Sequence, residues 1–182
     1  MKSKENKVLE LFFNTPKHWH FEELLNKAKI TRPQLARWLK KLAKEGIIQR
    51  VKEKGKMPYY MHDFNNPRFD VRKRMYASQM LMQSGLFENL ASLKKAKAVI
   101  LFGSFTRSDW YRDSDIDLFI YGSADGFNKV EFEMKLRRDI QLHIAQGRQD
   151  LKRMEKMLPY IVSGDFIKGS IQDIGVEVHA KS

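Results

Sequence analysis

Cysteine is absent from the 182 residues, which excludes disulfides, thiolate metal sites and cysteine nucleophiles. No apolar run approaches the ~20 residues that a membrane-spanning helix needs. The N-terminal Met1-Lys2-Ser3-Lys4-Glu5-Asn6-Lys7 is charged, with no apolar stretch of signal-peptide type behind it. A cytoplasmic protein without a membrane partner is the expectation. Internal repeats and low-complexity segments are also lacking. Acidic residues are scarce in one region only. Residues 1–75 hold 19 Lys/Arg against 8 Asp/Glu, a net of +11, whereas residues 76–182 hold 15 against 14, a net of +1, which together make the +12 of the chain. A basic half of this kind is an electrostatic footprint for a polyanion.

The content that remains is that of a globular chain, with 42% hydrophobic and 31% charged residues. Its length suits one ordinary domain or two small ones. Val8, Leu9, Phe12 and Phe13 recur at helical spacing from Glu5 to Thr15, and Pro16 ends that helix. Phe21, Leu24, Leu25 and Ala28 mark a second helix. Thr31 stands as an N-cap with Pro33 in the first turn and Gln34 in capping-box position, followed by Leu35, Trp38, Leu39 and Leu42 at i, i+3, i+4, i+7 and closed by Gly46. Ile47–Val51 and Pro58–Met61 read as strands around the polar turn Lys52-Glu53-Lys54-Gly55-Lys56.

Three short helices and a hairpin, over roughly residues 4–63, resemble a winged helix-turn-helix domain. The resemblance makes the third helix a recognition helix and the Lys/Gly turn a wing. An apolar stripe burying one face, Trp38 included, leaves Arg32, Gln34, Arg37, Lys40, Lys41 and Lys44 mostly on the other. With Lys52, Lys54 and Lys56 of the wing, these are the candidate contacts to duplex DNA, offering cations and amides to phosphates and base edges. Asn65-Asn66-Pro67 is a turn cluster at a plausible boundary. A methionine-rich helical stretch is expected from about Val71 to Lys97, broken near Ser84-Gly85, as a connector.

Ala98–Phe102 is a short apolar run, followed by Gly103-Ser104, and then by the acid-bearing strand Asp113-Ser114-Asp115-Ile116-Asp117-Leu118-Phe119-Ile120. Ten residues separate Ser104 from Asp115. This arrangement resembles the signature of the polymerase-beta-type nucleotidyltransferase superfamily: an apolar residue, Gly-Ser, about ten residues, then Asp-apolar-Asp-apolar. In a strand, residues i and i+2 point to one side, so Asp115 and Asp117 converge while Ile116 and Leu118 face the core. Adjacent carboxylates repel unless a cation lies between them, and Mg²⁺ commonly takes a couple of carboxylates plus substrate phosphates. Gly103 lets backbone approach a phosphate, and Ser104 offers it a hydroxyl. The resemblance implies that this pair holds the triphosphate of an NTP, that Arg107 adds neutralising charge, and that Mg²⁺ (or Mn²⁺) on the acid pair assists in-line displacement. Asp109, Arg112 and Asp113 lie in the spacer and are expected as surface loop, and Ser114 fits the family's Ser-Asp-apolar-Asp run.

The superfamily places a third carboxylate on a following strand. After a helical segment from Val130 to Leu136, residues Arg138–Ile144 alternate like a strand, and Gln141 occupies the apolar-x-apolar position where the acid is expected. Asp139, Gln141 and His143 share a face by the period of two. Asp139 serves if the register differs by two; otherwise the general base is missing. Beyond this, a charged helix is expected from Gln149 to Leu158, a further segment over Tyr160–Ile174 and a final strand over Gly175–His179.

The expected architecture is α/β (α+β): a winged helix-turn-helix over residues 1–64, a helical connector over 65–97, and a small mixed-sheet nucleotidyltransferase domain over 98–182. The expected activity is transfer of a nucleotidyl group from an NTP to an acceptor. The rival is a DNA-binding regulator whose second domain is catalytically weak or only senses nucleotide. Duplex DNA and NTP are the expected partners, with a second copy of the chain and a partner protein as further candidates.

Overall fold

In a computed structural model, which describes residues 3–63 and 66–175, the chain is a mixed α/β protein that divides into two compact units. The first comprises residues 1–76 together with Ser108–Arg112, and the second residues 77–107 and 113–182.

The first unit runs α1 (Lys4–Asn14), β1 (Trp19–His20), α2 (Phe21–Ala28), α3 (Arg32–Lys44), β2 (Ile48–Val51) and β3 (Tyr59–His62). Ser3 caps α1 by accepting from the Asn6 N–H at 3.1 Å, and Val8, Leu9, Phe12 and Phe13 are buried. The helix stops at Asn14, and Thr15 is extended, as the residue before a proline prefers. In α3 the Gln34 side chain accepts from the Thr31 N–H at 3.3 Å, one arm of the expected capping box. Leu35, Leu39 and Leu42 are buried there. Trp38 is only half-buried, with Arg37 and Lys41 over its ring at 5.3 and 5.0 Å, so its face serves cations as much as the core. The three strands form an antiparallel sheet in the order β1-β3-β2. The two-residue β1 is too short to leave a periodic signal.

Residues 108–112 belong to this unit although they lie in the spacer between Ser104 and Asp115. Asp109, Arg112 and Asp113 are exposed, as a loop requires, but Trp110 between them is fully buried. Its ring meets Phe13 edge-on at 6.1 Å and stacks on Tyr76 at 6.2 Å. The Arg112 N–H donates to the Asn14 carbonyl at 3.1 Å. Lys73 is 2% exposed and sits over the rings of Trp110 and Tyr111 at 4.9 and 4.4 Å, where ring quadrupoles attract a desolvated cation.

The methionine-rich stretch forms α4 (Arg68–Gln83) and α5 (Leu86–Ala91), broken at Ser84-Gly85. Helix does not continue to Lys97: β4 already begins at Ala96, because pairing with the next strand extends back to Ala96 opposite Gly122. The second unit then runs β4 (Ala96–Phe102), α6 (Ser104–Arg107), β5 (Ile116–Gly122), α7 (Lys129–Leu136), β6 (Ile140–Ala145), α8 (Arg148–Arg153), α9 (Leu158–Val162), β7 (Asp165–Lys168) and α10 (Ile171–Ile174). Its sheet has the order β6-β5-β4-β7, with β5 and β6 parallel and the other pairs antiparallel. One face buries Ala98, Ile100, Phe102, Phe119 and Ala145 with Leu151, Ile161 and Ile174 from the three last helices. The expected helix over 149–158 is instead α8, a turn and then α9. Pro159 lies in the first turn of α9, where its missing N–H is harmless, whereas inside a longer helix it would break the ladder. The strand β7 within 160–174 carries no alternation and forms by pairing with β4. The expected final strand lies, after Gly175, outside the described residues.

The buried indole of the spacer generates a first prediction. Trp110→Ala should destabilise the protein by about 3–5 kcal/mol, the usual cost of truncating a buried Trp. Urea unfolding measures it, and a loss under ~0.5 kcal/mol, the range of a surface substitution, would show that the spacer is not part of a core.

Candidate active site

The acidic pair is set by the alternation of β5. Ile116, Leu118, Phe119 and Ile120 are buried while Asp117 is half-buried. Asp115 immediately precedes the strand and is also half-buried. Asp117 is paired across the sheet with Phe102, the last residue of β4, which puts the carboxylate beside the turn that follows. That turn is Gly103, with φ of 76°. A Cβ built there would lie 2.1 Å from Asp117 Oδ2. Two constraints therefore demand glycine: a left-handed backbone, and the absence of a side chain where the carboxylate sits. Ser104 opens the short α6, and the Thr106 hydroxyl donates to the Gly103 carbonyl at 3.0 Å. Arg107 is exposed at the end of α6, near enough for its charge to draw the Asp117 pKa down. Gly103, Ser104, Arg107, Asp115 and Asp117 are thus brought to one end of β4 and β5.

Parallel pairing fixes the third strand. Ile116 lies opposite Ile140 and Asp117 opposite Gln141. The Gln141 amide donates to Asp115 Oδ2 at 2.5 Å. Asp139 is exposed ahead of β6, and its carbonyl accepts from the Ile116 N–H at 2.9 Å. In this register the side chain next to the acid pair is the neutral Gln141. His143, two residues on, places Nε2 3.8 Å from Asp117 Oδ1 and packs edge-on against Phe102 at 5.3 Å.

One more residue touches both halves of the motif. Arg138, just before β6, donates from Nη1 to the Ser114 carbonyl at 3.0 Å, and its guanidinium lies 5.2 Å from the centre of the Phe105 ring. Sequence reading passes it over, since a lone arginine ahead of a strand carries no signal.

Electrostatics single out Asp117. Burial raises its pKa above the ordinary carboxylate value; Asp115 pushes the same way, while His143 and Arg107 pull it back. Among the described residues no group of three or more His, Cys, Asp or Glu is disposed to hold a metal ion. Two converging carboxylates, one partly desolvated and repelled by the other, fit a hard cation that keeps waters and takes its remaining ligands from substrate phosphates.

The candidate DNA contacts all lie in the first unit and are exposed, apart from the half-buried Gln34. Arg32 is held by both oxygens of Glu22 at 2.6 and 2.9 Å. Lys41 meets Glu5 at 3.1 Å and Glu45 at 3.6 Å, and Lys56 meets Glu53 at 2.5 Å. Gln34 is occupied by its cap. Arg37 lies over Trp38, and no ion pair among the described residues engages Lys40, Lys44, Lys52 or Lys54.

A stability prediction follows from the raised pKa of Asp117. A carboxyl harder to ionise folded than unfolded loses folding free energy as pH rises above its unfolded value, near 4, and the loss is complete above the folded value. Without divalent cation, Asp117→Asn should therefore melt higher than the parent at pH 7, with the gap closing toward pH 4. A variant that melts at or below the parent at pH 7 would contradict the burial argument.

No curated protein and no solved structure matches the chain. Residues 86–169, just under half of it, match the family model described as Polymerase beta, Nucleotidyltransferase, so the segment carrying the glycine turn and the acidic pair is similar to the nucleotidyltransferase domains of that family.

Proposed function

We propose that the second unit transfers a nucleotidyl group from an NTP, with Mg²⁺ or Mn²⁺, and that the first unit binds duplex DNA. The observation that carries the first part is the convergence of Gly103, Ser104, Asp115 and Asp117 at one end of β4 and β5, in the segment that matches the nucleotidyltransferase model. The Gly103-Ser104 turn offers backbone and a hydroxyl to the triphosphate, and Arg107 lies close enough to add positive charge. Asp115 and Asp117 would hold the cation, which when bound neutralises triphosphate charge and polarises the phosphoryl oxygens. Gln141 cannot take a proton from an attacking hydroxyl, since its amide nitrogen is a donor and its oxygen, though a hydrogen-bond acceptor, is too weakly basic to be protonated near neutral pH. Its contribution is to hold Asp115 in place by hydrogen bonding.

The Gln141–Asp115 hydrogen bond also favours a second reading, in which the site binds nucleotide without turning it over efficiently and the chain acts as a DNA-binding regulator. Both readings require cation-dependent nucleotide binding, and they part on transfer. Calorimetry with NTP and Mg²⁺ should show binding in the parent and its loss in Asp115→Asn and Asp117→Asn, with all three chains folded. Equal affinity in all three would refute the site. In a labelled-NTP transfer assay the parent should be weak and Gln141→Asp stronger by ~10²–10⁴-fold, the typical contribution of a positioned base. Robust parent activity that Asp139→Asn destroys and Gln141→Asp leaves unchanged would reassign the third carboxylate to Asp139.

DNA binding is supported by the net +11 of residues 1–75 and the exposed cations of α3. The element order of three helices and a hairpin suits insertion of α3 into a major groove. Lys40 and Lys44 are the better probes because no acid among the described residues neutralises them. In the full chain, Lys40→Ala with Lys44→Ala should weaken duplex binding at low salt. The slope of log K against log salt should fall by about 1.8, at ~0.9 for each phosphate that a lysine no longer neutralises. Undiminished affinity with an unchanged slope would remove α3 from the interface.

A further inference from the structure

The two halves of the motif, the Gly103-Ser104 turn and the Asp115/Asp117 strand, are joined by a spacer that does not stay in the second unit. Residues 108–112 belong to the first. Ser108, where the chain leaves, is buried with φ of 67° and an unpartnered hydroxyl, a conformation and a desolvation that both cost energy in a non-glycine residue. The spacer is therefore not a short local loop that could set the spacing of the two halves within their own unit. The β4–β5 pairing aligns them through Phe102 opposite Asp117, but it acts on the strands. It does not reach α6, which carries Ser104, or the Ser114-Asp115 approach.

We infer that Arg138 is the positioning residue that fixes the triphosphate turn against the acidic pair. Its guanidinium reaches both segments beyond the strands. Nη1 donates to the Ser114 carbonyl at 3.0 Å, one residue before Asp115. The guanidinium lies 5.2 Å from the ring centre of Phe105, one residue after Ser104 and 2% exposed. Arginine suits both tasks at once, because a planar fork donates in its plane and stacks through its face. Phe105 is the buried residue of α6, so the guanidinium ties that helix to the backbone just ahead of Asp115. Arg138 is itself fixed from behind by the β6 start, where Ile140 donates to Glu133 of α7 at 2.9 Å and pairs with Ile116. Both contacts fall one residue away from Ser104 and Asp115, so Arg138 acts through their neighbours. The role in nucleotide binding rests on the proposed transfer site; the brace does not.

The test compares the full chain with Arg138→Met and Arg138→Lys. Amide hydrogen exchange should rise in residues 103–107 and 113–117 of Arg138→Met, while the centres of β4 and β5 stay protected. Affinity for NTP with Mg²⁺, measured per folded molecule, should fall on the order of tenfold, as loss of a charge-assisted hydrogen bond commonly costs. Arg138→Lys keeps the charge but cannot donate and stack together, so it should recover only part of both effects. Unchanged exchange in the two segments of Arg138→Met would overturn the inference, as would exchange that rises uniformly through the sheet, which would mark a general fold residue. Full rescue by lysine would overturn it too, by showing that charge alone suffices. A parent chain that binds no nucleotide, yet shows the local exchange response, would refute the transfer site and leave the brace standing.

Discussion

The site depends on one close approach, that of the Asp117 carboxylate to the backbone of Gly103. A single added carbon at that turn would stand 2.1 Å from the carboxylate oxygen. The turn is therefore glycine, the strand end must carry its acid facing that way, and the buried Ile116 and Leu118 on the opposite side of β5 hold it there. The same approach explains why the acid is half-buried and hard to ionise. A desolvated carboxylate beside a second carboxylate is a poor arrangement for an empty protein. A cation shared between them would offset that cost.

Much of this is legible in the residues because the motif is local. The apolar run of β4, the glycine turn and the alternating acids of β5 each have a period or a steric requirement that a sequence displays. The cap of α3 and the break of the connector at Ser84-Gly85 are legible for the same reason. What is not legible depends on pairing or on distant packing. The apolar pattern predicts helix as far as Lys97, but the partner strand claims Ala96 onward. The four residues of β7 show no alternation and become a strand through β4. Trp38 reads as a core position in a helical stripe, yet it is half-buried under two cations. The spacer reads as polar loop from Asp109, Arg112 and Asp113, and the indole between them fills a core contributed by residues far earlier in the chain, Phe13 among them.

The third strand shows where a pattern and its chemistry diverge. Period two puts Asp139, Gln141 and His143 on one face, and only the parallel register decides which of them meets the acid pair. That register sets Gln141 opposite Asp117, and its amide donates to Asp115, with a hydrogen bond in place of a third repulsion. A neutral donor relieves the crowding of negative charge that a third carboxylate would add, and it gives up a proton acceptor in doing so.

The membership of Trp110 in the first unit bears on how such a chain can be cut and recombined. A gene segment ending at Tyr76 encodes the helices and hairpin but omits the indole that closes their core, and a segment beginning at Ala77 carries that indole with nothing of its own unit to cover it. Exchange of the N-terminal part between related chains would have to bring residues 108–112 along, from inside the motif of the other part. A single cut in the chain therefore cannot separate the two units along their own contacts.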